Sequence, residues 1–148
     1  MKTLVLKTEN AWAPLVSRLL LGIVLFPHGA QKLLGWFGGY GFTGTMNFFT
    51  ETMSLPWLVA FSVIIIEFFG ALLLIAGYYT RVVSILILGL FIGILFTSHL
   101  DYGFFMNWFG NQKGEGMEYF LLLFGLSASL IFSGGGKFSI DSRITQTL

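Results

Sequence analysis

The sequence predicts an all-α polytopic membrane protein, a four-helix transmembrane bundle with a short interfacial helix in its first long loop. Composition is the first observation behind this. The 148 residues are 55% hydrophobic and 18% aromatic but only 10% charged, whereas an ordinary soluble domain carries roughly 25% charged residues. The mean hydropathy is +0.83, so the solvent implied is lipid. The second observation is a set of four apolar runs near the length of about 20 residues that a bilayer requires. The third is the gathering of basic residues toward one end of those runs. Neither a repeat nor a composition shift divides the chain, so residues 1–148 read as a single membrane domain.

The expected spans are residues 14–34, 55–78, 82–98 and 117–132. The third and fourth are near the short limit and should stand less tilted than the second. Four spans put both termini on one side. Lys2, Lys7, Arg18, Arg81, Lys137 and Arg143 lie near the termini or the second loop, against Lys32 and Lys113 toward the opposite face. Both termini are therefore expected in the cytoplasm, across a bacterial-type inner membrane. The first run exceeds a signal h-region, holds Arg18 and is followed by no small-x-small cleavage pattern, so it is expected to be retained.

Loops 35–54 and 100–116 fall on the non-cytoplasmic side. The first opens with Gly35-Trp36-Phe37-Gly38-Gly39-Tyr40-Gly41, whose aromatic rings suit the headgroup level. Met46, Phe49 and Met53 then recur at helical spacing, which predicts the interfacial helix. The third loop mixes Phe104, Phe105, Trp108 and Phe109 with Asp101, Asn107 and Asn111. Together the two loops suggest a lid. The second loop, around Tyr79 and Thr80, is a tight hairpin.

Several chemistries are excluded at once. A net charge of +1 gives no footprint for nucleic acid. With no cysteine there is no disulfide, thiolate catalysis, Cys-ligated cluster or covalent haem. The string Gly39-Tyr40-Gly41-Phe42-Thr43-Gly44 matches G-x-G-x-x-G, but a transmembrane helix precedes it where dinucleotide binding needs a strand. His28 and His99 differ too much in expected depth to ligate one haem iron from both sides. A metal site from His99, Asp101 and Glu118 has no supporting helical spacing, and no metal is expected.

Ionisable residues inside spans are costly and normally face the bundle interior. On the first span Arg18, Gly22, Leu25, Gly29 and Lys32 fall within about 40° of one line, while His28 lies about 80° to one side. That face should point inward, its glycines admitting a close neighbour. Gln31 points nearly the opposite way and is close enough to the outer end to reach the headgroups. Glu67, near the middle of the second span with Gly70, Ala71 and Tyr78 on its face, is the most informative single residue. His28 lies roughly 21 Å from the cytoplasmic start of its span and Glu67 roughly 16 Å from the cytoplasmic end of its own. Pairing of His28 with Glu67, direct or through water, is therefore expected, and Arg18 is long enough to extend toward the same carboxylate. A second constellation gathers at the non-cytoplasmic mouth: Lys32, His99, Asp101 and Glu118. Each group also has a bland alternative. Buried pairs can serve register alone, and Glu118 can simply complement the macrodipole at a helix start. Gly89-x-x-x-Gly93 on the third span is a small-residue face for packing inside the bundle or between copies.

Arg18-x-x-x-Gly22, then His28-Gly-Ala-Gln31-Lys32-Leu33, then Gly35-Trp36-Phe-Gly-Gly-Tyr-Gly41 resembles the opening signature of the DoxX family. Glu67-Phe-Phe-Gly70 with Gly77-Tyr-Tyr-Thr-Arg81 is similar to that family's second span and hairpin. Gly116-Met-Glu118 and Gly134-Gly-Gly-Lys-Phe-Ser-Ile-Asp141 resemble its closing pattern. The resemblance implies a small four-span inner-membrane protein. The family takes its name from a small subunit of an archaeal quinol oxidase, also described as a thiosulfate:quinone oxidoreductase, and other members are linked to redox or sulfur stress. Thiol chemistry would need cysteines, and this chain has none.

The functional expectation is a subunit that binds a quinone or similar lipophilic ligand for a membrane oxidoreductase, without a redox centre or covalent cofactor of its own. Glu67 and His28 would exchange protons with the ligand. Arg18, Gln31, Lys32, His99, Glu118, Trp36 and Trp108 would bind it. Partners would be the bilayer and either a second subunit or further copies of the chain. The alternatives are a scaffold subunit, which binds through its glycine faces and loops, and a small transporter.

Overall fold

The computed structural model describes residues 5–146, so Lys2 lies outside the described part. Six α-helices and no strand are found among the described residues. Helix α1 is Trp12–Leu34, α2 is Gly41–Asn47, α3 is Trp57–Ala76, α4 is Thr80–Ile94, α5 is Glu118–Ser133 and α6 is Ile140–Gln146. Two helices change pitch at their ends. A π-helical turn, Phe48–Thr52, extends α2, and another, Leu95–His99, extends α4 before a 3₁₀ turn at Leu100–Tyr102.

Three helical stretches are long and apolar enough to cross a membrane: Trp12–Leu34, Trp57–Ala76 and Thr80–Tyr102. The fourth apolar run gives only Glu118–Ser133, 16 residues. At 1.5 Å per residue that is roughly 24 Å, shorter than a hydrocarbon core of about 30 Å. Its limits have local causes. Gly134 adopts φ 78° and ends the helix, while the backbone N–H of Met117 and of Glu118 are drawn back to the carbonyls of Gly103 and Phe104.

The four long helices pack in a ring, with α1 and α4 each lying against both α3 and α5. The core runs through Leu21 and Leu25 of α1, Ala71 and Leu74 of α3, Ile87 and Phe91 of α4, and Leu123 and Leu130 of α5. The inward face of α1 is buried at Arg18, Gly22, Leu25 and Gly29. Glycine is required there. A Cβ at Gly29 would stand 2.5 Å from the Phe68 Cα, and one at Gly22 would stand 2.9 Å from the Ala71 carbonyl oxygen. By contrast, a Cβ added at Gly89 or Gly93 would meet nothing within 4 Å, and both glycines face outward from α4.

One end of the ring is tied by three charged side chains. Arg18 is 2% exposed, and its guanidinium donates to the carbonyls of Gly135 (2.7 Å), Leu74 (3.1 Å), Lys137 (3.2 Å) and Ile75. Arg81 donates to the carbonyls of Ile131 (2.7 Å), Phe132 (2.8 Å) and Lys7 (2.9 Å). Four of these seven carbonyls, those of Leu74, Ile75, Ile131 and Phe132, lie in the last turns of α3 and α5, where cations are favoured. Asp141 does the converse, accepting from the N–H groups of Tyr79 (2.8 Å) and Thr80 (2.9 Å) at the start of α4. Gly77, at φ 68°, closes α3, and a Cβ there would fall 2.5 Å from the Ser139 Cβ. The described segments before α1 and after α5 thus share this end with the α3–α4 hairpin, and the two long loops share the other.

Replacing Gly29 by alanine should cost about 1–3 kcal/mol, since two backbones must separate. Replacing Gly89 by alanine meets open space and should change stability by less than about 0.5 kcal/mol. Equilibrium unfolding of both variants in one detergent checks the contrast.

Candidate functional site

A cavity of about 570 Å³ lies between α1 and α3 on one side and α4 and α5 on the other, at the loop end of the ring. Helix α1 contributes His28 and Lys32, and α3 contributes Val63 and Glu67. Helix α4 and its π turn supply Phe91, Ile94, Thr97, Ser98 and His99, and α5 supplies Tyr119 and Phe120. The loops close it from above, through Phe48, Phe49, Met53 and Leu55 of the first and Met106 and Glu115 of the third. Both π turns line the space, and such turns re-aim side chains within an otherwise regular helix.

At its wall the Lys32 Nζ lies 2.6 Å from Oε2 of Glu67, whose side chain is 2% exposed. The expected partner of Glu67 was His28, directly or through water; the ion pair that the structure shows is with Lys32. Depth favoured histidine, but the face favoured lysine, because Lys32 shares the line of Gly22 and Gly29 that meets α3. A four-carbon stem covers the difference in depth and brings its ammonium to the carboxylate. His28 lines the same cavity without being the carboxylate's ion-pair partner. Arg18 is corrected more fully. It reaches away from Glu67, at the end opposite the cavity, because the carbonyls of Leu74 and Ile75 at the end of α3 and those of Gly135 and Lys137 converge there.

The mouth constellation of Lys32, His99, Asp101 and Glu118 does not assemble. Lys32 is taken by Glu67. Oε1 of Glu118 accepts from the Met106 N–H (3.0 Å) and from Nε1 of Trp108 (3.1 Å), which ties the third loop to the start of α5. Trp108 is 78% exposed, and neither it nor Glu118 lines the cavity. Trp36 stands edge-on to Phe26, outside the cavity. Gln31 donates from Nε2 to the Phe37 carbonyl at 3.2 Å, and so holds the first loop. His99 does line the cavity, and its Nδ1 is 2.9 Å from the Glu115 carbonyl oxygen. Among the described residues, no three His, Asp or Glu side chains are placed to hold one metal ion.

The model of the DoxX family matches residues 13–100. The chain belongs to the DoxX family. It is 32% identical over 127 residues to a Bacillus subtilis (strain 168) protein named "Putative oxidoreductase CatD", covering 86% of this chain and 83% of that one. No solved structure matches. The DoxX match takes in His28, Lys32, Glu67 and His99, while Glu115, Tyr119 and Phe120 lie beyond it. Those last residues carried no separate signal in the sequence. Tyr119 follows a carboxylate that reads as a helix start, and Glu115 sits in a loop whose path is set by bonds distant in sequence.

Removing one partner of the pair leaves an uncompensated charge. Lys32→Met should therefore destabilise the protein by about 3 kcal/mol, and the double variant Lys32→Met/Glu67→Leu should recover most of that loss. A double-mutant unfolding cycle measures both.

Proposed function

We propose that this DoxX protein binds a quinone, or a similar lipophilic ligand with a polar head, as an inner-membrane subunit of a membrane oxidoreductase. The observation that carries the reading is the cavity, walled by Phe48, Phe49, Met53, Phe91 and Phe120 and bearing the Lys32–Glu67 pair. Pockets of about 300–1,000 Å³ that are mainly apolar, with a few polar groups to fix orientation, suit such ligands. A quinone supplies two carbonyl oxygens that accept protons when it is reduced. Toward them Lys32 offers an ammonium donor, and Glu67 is the group that holds or releases a proton in place. His28 on the neighbouring turn of α1 can exchange protons with the same space. The aromatic walls exclude water from the head of the ligand. Electrons would come from a partner chain, and the name of the Bacillus subtilis relative fits work within an oxidoreductase system.

In the bilayer we place all four long helices across the membrane, with α5 completed by its flanking loop residues, as one multi-pass domain. The end tied by Arg18 and Arg81 then faces the cytoplasm, both termini with it, as the basic residues there favour. Helix α2 and its π turn lie at the opposite interface.

A second reading, a scaffold subunit, draws on the outward face of Gly89 and Gly93, which is open to a partner helix. The two readings part on Glu67. Purified in mild detergent and extracted for mass spectrometry, the wild-type protein should carry a quinone near one per chain, and Glu67→Gln should lose it while keeping its helical content. A folded wild type with no quinone above that of an unrelated membrane protein would favour the scaffold.

A further inference from the structure

A second, smaller cavity of about 300 Å³ adjoins the first at the loop end, lined by Met53, Phe96, Thr97, Ser98, His99, Leu100, Asp101 and Tyr102. Met53, Thr97, Ser98 and His99 line both spaces. Of these four only His99 has a side chain with a nitrogen that can bind and pass on a proton. The large cavity is mostly apolar in its walls, whereas the small one holds Asp101 and a run of polar backbone at the end of α4.

The imidazole is held in one orientation and one tautomer. A backbone carbonyl can only accept, so Nδ1 of His99 carries the hydrogen donated to the Glu115 oxygen at 2.9 Å. Nε2 is then the nitrogen with the free lone pair. The ring also packs against Phe120, with centroids 4.7 Å apart. A histidine so fixed, in a wall between a polar space and a space with a buried ion pair, is placed to pass protons and not merely to fill volume.

We propose that His99, which lines both spaces, is the proton carrier between the small polar cavity with Asp101 and the ligand cavity with Lys32 and Glu67, Nε2 being the nitrogen that binds the proton in transit. The step moves one proton and no electron. The imidazole becomes imidazolium while Nδ1–H stays on the Glu115 carbonyl, and returns to neutral on delivery. The titratable groups around this route are His28 and Lys32 on α1, Glu67 on α3, Asp101 and Tyr102 beyond the α4 π turn, Glu115 on the third loop and Tyr119 on α5. Glu115 is the competing route, since it lines the ligand cavity, but its Oε2 is engaged by the Asn107 N–H at 2.7 Å. The proposal rests on the ligand cavity being a place where protons are delivered, and its test needs no ligand.

The measurement is exchange of the Lys32 ammonium protons after transfer into D₂O. It is followed by NMR of lysine-labelled protein in lipid nanodiscs and assigned with Lys32→Arg. His99→Gln keeps an amide donor for the Glu115 carbonyl but carries no proton. It should slow exchange about 100-fold, the lower end of what a positioned proton carrier contributes, and added imidazole should restore the rate. Exchange unchanged in His99→Gln, or slowed instead by Glu115→Gln, overturns the proposal. A wild-type measurement decides the matter even if the variant does not fold. The chain has two histidines, so the His99 ring signal is assignable, and the exchange rate should break at the pH where that signal titrates. A rate with no break there also overturns it. Decyl-ubiquinone titrated into the same nanodiscs reports on the ligand reading separately, so the failure of one is distinguishable from the failure of the other.

Discussion

With no side chain at Gly29, the backbone of α1 reaches that of Phe68, and one turn further along α1 the Lys32 stem comes over the adjacent Glu67. The rest of the bundle depends on this approach. A wider separation would leave the carboxylate buried in hydrocarbon without its ammonium, a state far costlier than the pair. The same contact holds α1 and α3 together on one side of the ring. The cavity then lies between that pair of helices and the pair formed by α4 and α5. A membrane helix gains no hydrophobic driving force from meeting another helix, so packing of this kind has to come from small residues and polar partners. Gly22 and Gly29 supply the first, and Lys32 with Glu67 the second.

The two ends of the molecule divide the polar work. At one, Arg18, Arg81 and Asp141 bond backbone groups at helix ends, and so hold the segments before α1 and after α5 to the α3–α4 hairpin. At the other, Glu118 and Gln31 tie the loops down, while Lys32, Glu67, His28 and His99 face a cavity. Basic residues that look alike in sequence therefore have different roles. The difference comes from where free carbonyls converge, which depends on residues as distant as Gly135 and Lys137 from Arg18.

The helices were legible from apolar runs, while their ends are set by local backbone, as where Gly35 and Gly77 adopt positive φ after α1 and α3. The inward face of α1 was also legible, because helical periodicity aligns Arg18, Gly22, Leu25 and Gly29. The pairing was not. Rise per residue puts His28 nearer than Lys32 to the depth of Glu67, but it ignores the reach of a lysine stem. The cavity's loop-side wall was legible only as a pattern: Phe49 and Met53 mark a helix face, yet nothing local says that the π turn carries them over Glu67. The length of α5 was likewise set by the third loop, which captures the N–H groups of Met117 and Glu118.

The most direct measurement is photolabelling in lipid nanodiscs with a photoreactive short-chain quinone, followed by peptide mapping. Adducts on Phe49, Met53 or Tyr119 that are displaced by excess decyl-ubiquinone are the expected result, because these side chains line the space beside the Lys32–Glu67 pair. Adducts confined to the outer face around Gly89 and Gly93, or labelling that excess quinone does not displace, would contradict the cavity as the ligand site.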